Sequence, residues 1–240
     1  MIATISLNLG DARCSFQYRK GTRDEVVVVH VLSNSAYNFG RLRRGKELLD
    51  LYERLSGTGK APLIIDIGAG IGASTLYFAH SFPRARVVAV EPDQSDFELL
   101  AVNTSGLPVE VLGATVGPSA MGAGGKEPYD DLPIRAVAPE KRDGVGRVPR
   151  VTVNDILERH AQECELFVVK LNLESSEDDL FSVNTEWLAR TPVLIVDLCD
   201  SLIPGSENIR KFVEYISNFK RDFVYLQDSI FSIGREFVVT

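Results

Sequence analysis

The sequence predicts an α/β protein of Rossmann-like type: a mostly parallel sheet with helices on both faces and an antiparallel hairpin near its C-terminal end. Three observations predict it. Short apolar runs at residues 62–67, 86–90, 109–116, 166–171 and 193–198 alternate with helix-patterned segments. Strands that are apolar on both sides belong in a parallel sheet covered on both faces. The first run ends on Gly68-Ala69-Gly70-Ile71-Gly72, a strand–turn–helix glycine signature. Finally, two β runs at 223–226 and 230–239 flank Gln227-Asp228-Ser229, the pattern of a hairpin.

The elements follow in order. With 240 residues the chain suits one substantial domain, read as a leader over 1–60 packed on a core over 61–240. Residues 26–31 are β-branched and read as a strand. A helix from Asp24 is the alternative, because Val27, Val31 and Ser35 fall at helical spacing. Over 39–55, Leu42, Leu48, Leu49, Tyr52 and Leu55 repeat on one helical face until Gly57-Thr58-Gly59 ends the pattern. Helices are expected over 73–82 and 94–103, the second capped by Asp93. Residues 117–147 are rich in Gly, Pro and charge without a period, an irregular insertion or a lid. A strand at 148–153, a short helix at 153–160, a helix at 177–189 carrying Trp187, and an amphipathic helix at 206–219 complete the set.

Composition narrows the function classes. Hydrophobic residues make up 45% and charged residues 25%, with a formal net charge of −7. An acidic balance argues against nucleic-acid binding, which draws on clustered Lys and Arg; Arg41, Arg43, Arg44 and Lys46 read as the solvated face of a helix. Cys14, Cys164 and Cys199 lack metal or disulfide spacing, and His30, His80 and His160 lack ligand spacing, so no metal site is expected. No window reaches the roughly 18 apolar residues of a membrane span, and the expectation is a soluble cytoplasmic protein with no membrane partner. The sequence leaves the oligomeric state open, a homodimer included.

The chemistry centres on the glycine turn. Backbone without Cβ atoms can approach a ligand closely, and the following helix N-terminus adds unpaired N–H groups. Glu91 stands 19 residues past Gly72 at the end of the next apolar run, where a carboxylate can accept ribose hydroxyls. NAD satisfies the same pattern. Three features favour S-adenosylmethionine: Asp66, an acid two residues before the first glycine and better suited to a sulfonium than to a pyrophosphate; the start of the unit some 60 residues into the chain; and the two closing β runs.

Asp66–Gly72, with Val87-Val-Ala-Val-Glu91-Pro92-Asp93, resembles the first motifs of class I methyltransferases, and the phrasing is similar to the FkbM family. The match continues through residues 24–37, Val151-Thr152-Val-Asn-Asp155-Ile-Leu157, the block from Leu166 through Lys170-Leu-Asn172-Leu-Glu174 to Glu177, and Leu194-Ile-Val-Asp197-Leu-Cys199-Asp200 with Pro204-Gly205. The resemblance covers about residues 24–235. It implies a seven-stranded class I fold, S-adenosyl-L-methionine as methyl donor, and O-methylation of a small hydroxyl-bearing molecule of sugar or natural-product type. Carried over by position, Asp66, Gly68, Gly70, Gly72, Glu91 and Asp93 would hold the cofactor, and Lys170, Asn172 and Glu174 would be catalytic. Asp200 is a secondary candidate at the exit of the fifth strand. Where the family has Asp, Gly and His, this chain has Asn172, Ser175 and Cys199; Asn172 hydrogen-bonds but cannot be a base. A non-catalytic descendant of the fold and, behind it, a nicotinamide oxidoreductase are the competing readings. For Lys170 and Glu174 the structural alternative is an ion pair closing the strand end.

Overall fold

Residues Met1–Gly10 carry no charged side chain and alternate in period two, and they open an antiparallel hairpin, β1 (Ile2–Leu9) with β2 (Ala12–Arg19). The computed structural model describes residues 1–10, 12–119, 148–172, 180–181, 183–197 and 208–238. The β-branched stretch after the hairpin is helical, not a strand: α1 (Asp24–Val27) runs into a π turn over Val28–Ser33. Two causes override β propensity. The Asp24 carboxylate accepts the Arg19 backbone N–H at 2.9 Å and its Nε–H at 2.8 Å, which anchors the helix start. Val28, Val31 and Leu32 are buried while Val26 and Val29 face out, a helical rather than an alternating pattern.

A 3₁₀ turn at Phe39–Arg41 leads into α2 (Gly45–Ser56), which buries Leu48, Leu51, Tyr52 and Leu55. The core elements then come in sequence: β3 (Ala61–Ile67), α3 (Ala73–Ser81), β4 (Arg86–Val90), α4 (Gln94–Asn103) and β5 (Val109–Leu112). The Asp93 side chain accepts the Asp96 N–H at 2.9 Å and caps α4 as expected. The expected third strand is split at Gly113-Ala114. Thr115–Val116 (β6) leaves the main sheet and pairs with β7 (Arg150–Val151), the only part of the 148–153 run that is paired as a strand among the described residues. Next are α5 (Val153–His160), β8 (Cys164–Asn172), α6 (Glu186–Arg190), β9 (Val193–Asp197), α7 (Asn208–Ile216), β10 (Arg221–Leu226) and β11 (Ser229–Gly234). Of the helix expected over 177–189, the described residues are helical only from Glu186.

Among the described residues the main sheet has seven strands in the order β10-β11-β9-β8-β3-β4-β5. Those from β9 to β5 are parallel; β11 is inserted antiparallel between β9 and β10. This is the Rossmann-like arrangement with a closing hairpin that the sequence predicts. Alternation sorts the core into two faces. Ile64 and Phe167 pack with α2 and α3, through Leu48, Leu51, Leu76 and Phe78. Leu63, Ile65, Ile67, Val169 and Leu171 pack with α5, α6 and α7 through Ile156, Leu157, Trp187 and Phe212. Trp187 and Phe181 are thus core, as read, with rings 6.4 Å apart. Among the described residues no helix is long and apolar enough to cross a membrane.

Candidate active site

Parallel strands present their carboxyl ends together, and a ligand crevice forms where the loops diverge. Here β3, β4 and β8 end on Ile67, Val90 and Asn172. The glycine turn that follows β3 is fixed by its own backbone: the N–H groups of Gly68 and Ala69 both donate to the Val90 carbonyl, at 3.0 and 3.1 Å. Its three glycines do different work. A Cβ on Gly68 would lie 3.1 Å from both Cβ and the carbonyl oxygen of Asn172, and one on Gly72 would lie 2.8 Å from Cδ1 of Leu100. Gly68 therefore lets β3 pass β8, and Gly72 lets α3 approach α4. Of the three, only Gly70 (φ +53°) would place a Cβ in open space, and Gly70 lines both cavities of the site.

Glu91 is the side chain that braces this turn. Its Oε2 accepts the Gly70 N–H at 2.8 Å and its Oε1 the Asp93 N–H at 2.9 Å. Burial pushes its carboxyl above the usual glutamate range, against the pull of those two donors. A carboxylate has about four acceptor sites, so roughly half of its capacity remains for a ligand. Glu91, Asp93, Gly68, Gly70 and Thr115 line a cavity of about 290 Å³. A second, of about 410 Å³, lies beneath Val27 and Val31 and reaches Lys170 and Asp197. The two share Arg23, Gly68, Gly70, Asp96 and Asn172 in their walls. Together they bracket the lower part of the range typical of small-molecule sites. Gly72 lines neither.

Asp66 also lies behind the surface. It is fully buried, and its Oδ2 accepts the hydroxyls of Ser74 at 2.7 Å and Thr75 at 2.6 Å, which ties the end of β3 to the first turn of α3. The Lys170 ammonium sits 3.2 Å from Asp66 Oδ1 and 3.6 Å from Asp197 Oδ2, and donates to the Gly68 carbonyl at 3.1 Å. Burial alone would lower the lysine's pKa; the two carboxylates outweigh it and hold the ammonium above its ordinary value. Lys170 is thus in an internal ion pair, with Asp66 and Asp197 as its partners. Glu174, Glu177, Cys199 and Asp200 lie outside the described residues.

Two residues emerge that sequence reasoning did not select. Asp197, at the end of β9, accepts the Tyr37 hydroxyl at 2.6 Å and the Ser229 hydroxyl, also at 2.6 Å. Its side chain keeps 17% exposure and lines the larger cavity. Asp197 had a signal, since it stands at the carboxyl end of an apolar run. Tyr37 had none, because its partner is 160 residues away. Of the residues carried over by position, Gly68, Gly70, Glu91, Asp93, Lys170 and Asn172 meet around the two cavities, while Asp66 and Gly72 support them from behind.

Neither a protein-family model nor a curated protein sequence matches the chain. Among solved structures it is similar to a candidate rRNA methylase from Clostridium thermocellum, at 12% identity and a TM-score of 0.44 over 78% of this chain and 93% of that one. It is similar also to a candidate O-methyltransferase from Klebsiella pneumoniae (16%, 0.44, 88% and 96%). A third likeness is to an O-methyltransferase from Bacillus cereus in complex with S-adenosylhomocysteine (15%, 0.41, 91% and 92%). The α/β class of this chain, with its antiparallel strand inserted beside β9, stands on its own topology.

Proposed function

We propose that this chain is an S-adenosylmethionine-dependent methyltransferase of the FkbM type that methylates a hydroxyl of a small molecule. The observation that carries the reading is the placement of the glycine turn and Glu91 in a sheet whose β11 runs antiparallel between β9 and β10. Dinucleotide-binding sheets are mostly parallel in the order 3-2-1-4-5-6, and an antiparallel strand set inside the sheet departs from that order, which supports the methyl donor over a nicotinamide.

The residues fit the donor. Gly70 offers backbone with no Cβ in the way, and Glu91 retains acceptor capacity for ribose hydroxyls. Asp93 stands beside it at the cavity mouth. Ala114 and Thr115 supply the wall after β5, where this chain has no acid to grip a base. When bound, the donor supplies a methyl group already activated on a sulfonium. The remaining work is to hold an acceptor oxygen in line and close, which supplies much of the acceleration in such a displacement. Asn172 would orient that hydroxyl by hydrogen bonding, and Asp197, held by Tyr37, Ser229 and Lys170, would shape the acceptor side. Lys170 stays an ammonium and positions Asp197 and the Gly68 carbonyl; it is not a base. Proton removal is assigned to Glu174.

A second reading, a cofactor binder without turnover, is favoured by Asn172 standing where the family carries an acid. Calorimetry and thermal shift with S-adenosylmethionine, S-adenosylhomocysteine and NAD test the first claim. Ligand at 100 times its dissociation constant should stabilise the chain by about 2.7 kcal/mol. A response to NAD and to neither methionine derivative refutes the proposal. Radiolabelled methyl transfer to a panel of hydroxyl acceptors separates enzyme from binder.

A further inference from the structure

The two edges of the N-terminal hairpin are treated differently. In an antiparallel pair, alternate residues exchange hydrogen bonds with the partner strand and those between them point outward. The bond from Lys20 N–H to the Met1 carbonyl at 3.0 Å, with Ile2 opposite Arg19, sets the phase: odd-numbered residues of β1 face β2. In the C-terminal half of β2 the outward groups are met by side chains. Gln17 exchanges hydrogen bonds with Asn103, donating at 2.7 Å and accepting at 2.9 Å, and the Arg19 N–H goes to Asp24. On β1 the outward residues are Ile2, Thr4, Ser6 and Asn8, and among the described residues their backbone groups have no recorded partner.

That edge also lacks the devices that keep strand edges from pairing. β1 reads Ile-Ala-Thr-Ile-Ser-Leu-Asn-Leu, with no charge, proline or glycine, whereas exposed edges are usually blunted by Lys, Pro or a bulge. We infer that the β1 edge is a self-association surface, on which β1 of a second copy of this chain docks antiparallel about a two-fold axis at Ile5.

The strand is complementary to itself in that register. Ile2 faces Asn8 and Thr4 faces Ser6 as hydrogen-bonded pairs, which gives about eight backbone hydrogen bonds across the axis. Ile5 meets Ile5, and Ala3 meets Leu7, on the half-buried face that continues the core. Thr4–Ser6 hydroxyl pairs form on the outer face, a favourable cross-strand combination. Charge selects the same strip. Two copies at −7 each repel, and least so where ten successive residues carry no charged side chain. A strand edge buries well under the roughly 1,200–2,000 Å² of stable interfaces, so the dimer dissociates on dilution.

Sedimentation equilibrium on the full chain from micromolar to near-millimolar concentration tests this. The weight-average mass should rise from 26.4 kDa toward twice that value. Ser6→Pro removes an outward N–H that only the second copy would use, at a position where an edge strand accepts proline. The double variant Thr4→Lys/Ser6→Lys sets like charges opposite one another on exposed positions. Both should stay at monomer mass throughout, with wild-type circular dichroism. A wild type that is monomeric at every concentration overturns the inference, as does a dimer that survives both variants. So does growth beyond a dimer, since the two-fold pairing uses up the edge.

Discussion

Lys170→Met nearly preserves side-chain volume and removes the one cation between Asp66 and Asp197. The lysine is 3% exposed and Asp66 is fully buried. Asp66 Oδ2 keeps its two hydroxyl donors, but Oδ1 has no hydrogen-bond donor besides the ammonium it is paired with. Removing one partner of a buried ion pair costs about 3–5 kcal/mol, because the remaining charge is left uncompensated. For chains of this length about 2–4 °C of melting temperature accompany each kcal/mol, so the melting point should fall by about 6–20 °C. Adding Asp66→Asn removes the stranded charge while keeping an acceptor for Ser74 and Thr75. The double variant should therefore regain about 1–3 kcal/mol over simple addition of the two single losses. Urea denaturation of the four proteins at pH 7 measures the cycle. Strict additivity, or a Lys170→Met protein as stable as wild type, would refute the argument that the ion pair holds the turn.

Gly72→Ala should cost about 1–3 kcal/mol, since φ is +90° and the new Cβ meets Leu100 at 2.8 Å; Gly70→Ala, with φ +53° and open space, should cost about 1 kcal/mol yet weaken donor binding more, as calorimetry would show. Glu91→Gln turns an amide NH2 toward one of the two N–H donors, on Gly70 or Asp93, that the carboxylate now accepts, so by calorimetry the unliganded variant should lose about 1–3 kcal/mol and its affinity for S-adenosylmethionine should fall. Burial pushes Glu110 up, but His160, Arg159 and Arg86 outweigh it and hold the carboxyl below its ordinary value. Its contribution is therefore present above the unfolded pKa of about 4.3 and lost as pH falls. Glu110→Gln should cost about 1–3 kcal/mol at neutral pH, a gap that urea titrations should find narrowing as pH falls below the unfolded value.

Much of the core was legible because its causes are local. Asp93 caps α4 through its own side chain two residues from Glu91, and short β-branched apolar runs such as 193–196 fit buried strands. The glycine turn was legible as a turn, but not in its division of labour: that Gly72 serves helix packing depends on Leu100, 28 positions away. Asp66 was read as facing a ligand, whereas Ser74, Thr75 and Lys170 draw it inward. The stretch after the hairpin misled by composition, because Arg19 and the burial of Val28, Val31 and Leu32 decide its conformation from outside the segment. Tyr37 was invisible for the same reason, with Asp197 supplied by a strand at the other side of the sheet.

The span from Tyr37 to Asp197 sets an order in time. Chains emerge from the ribosome at about 5–20 residues per second, so roughly 8–32 s separate the appearance of these partners. Gly70 and Glu91 are only 21 residues apart, and the loop that bears them can close early, whereas β3 must wait for β8 to cover its second edge. Ser229, the other hydroxyl on Asp197, comes later still. A nascent chain can thus shape the turn that would grip a nucleoside well before it can assemble the pocket beside it, and until then the central strand is exposed to whatever else can pair with it.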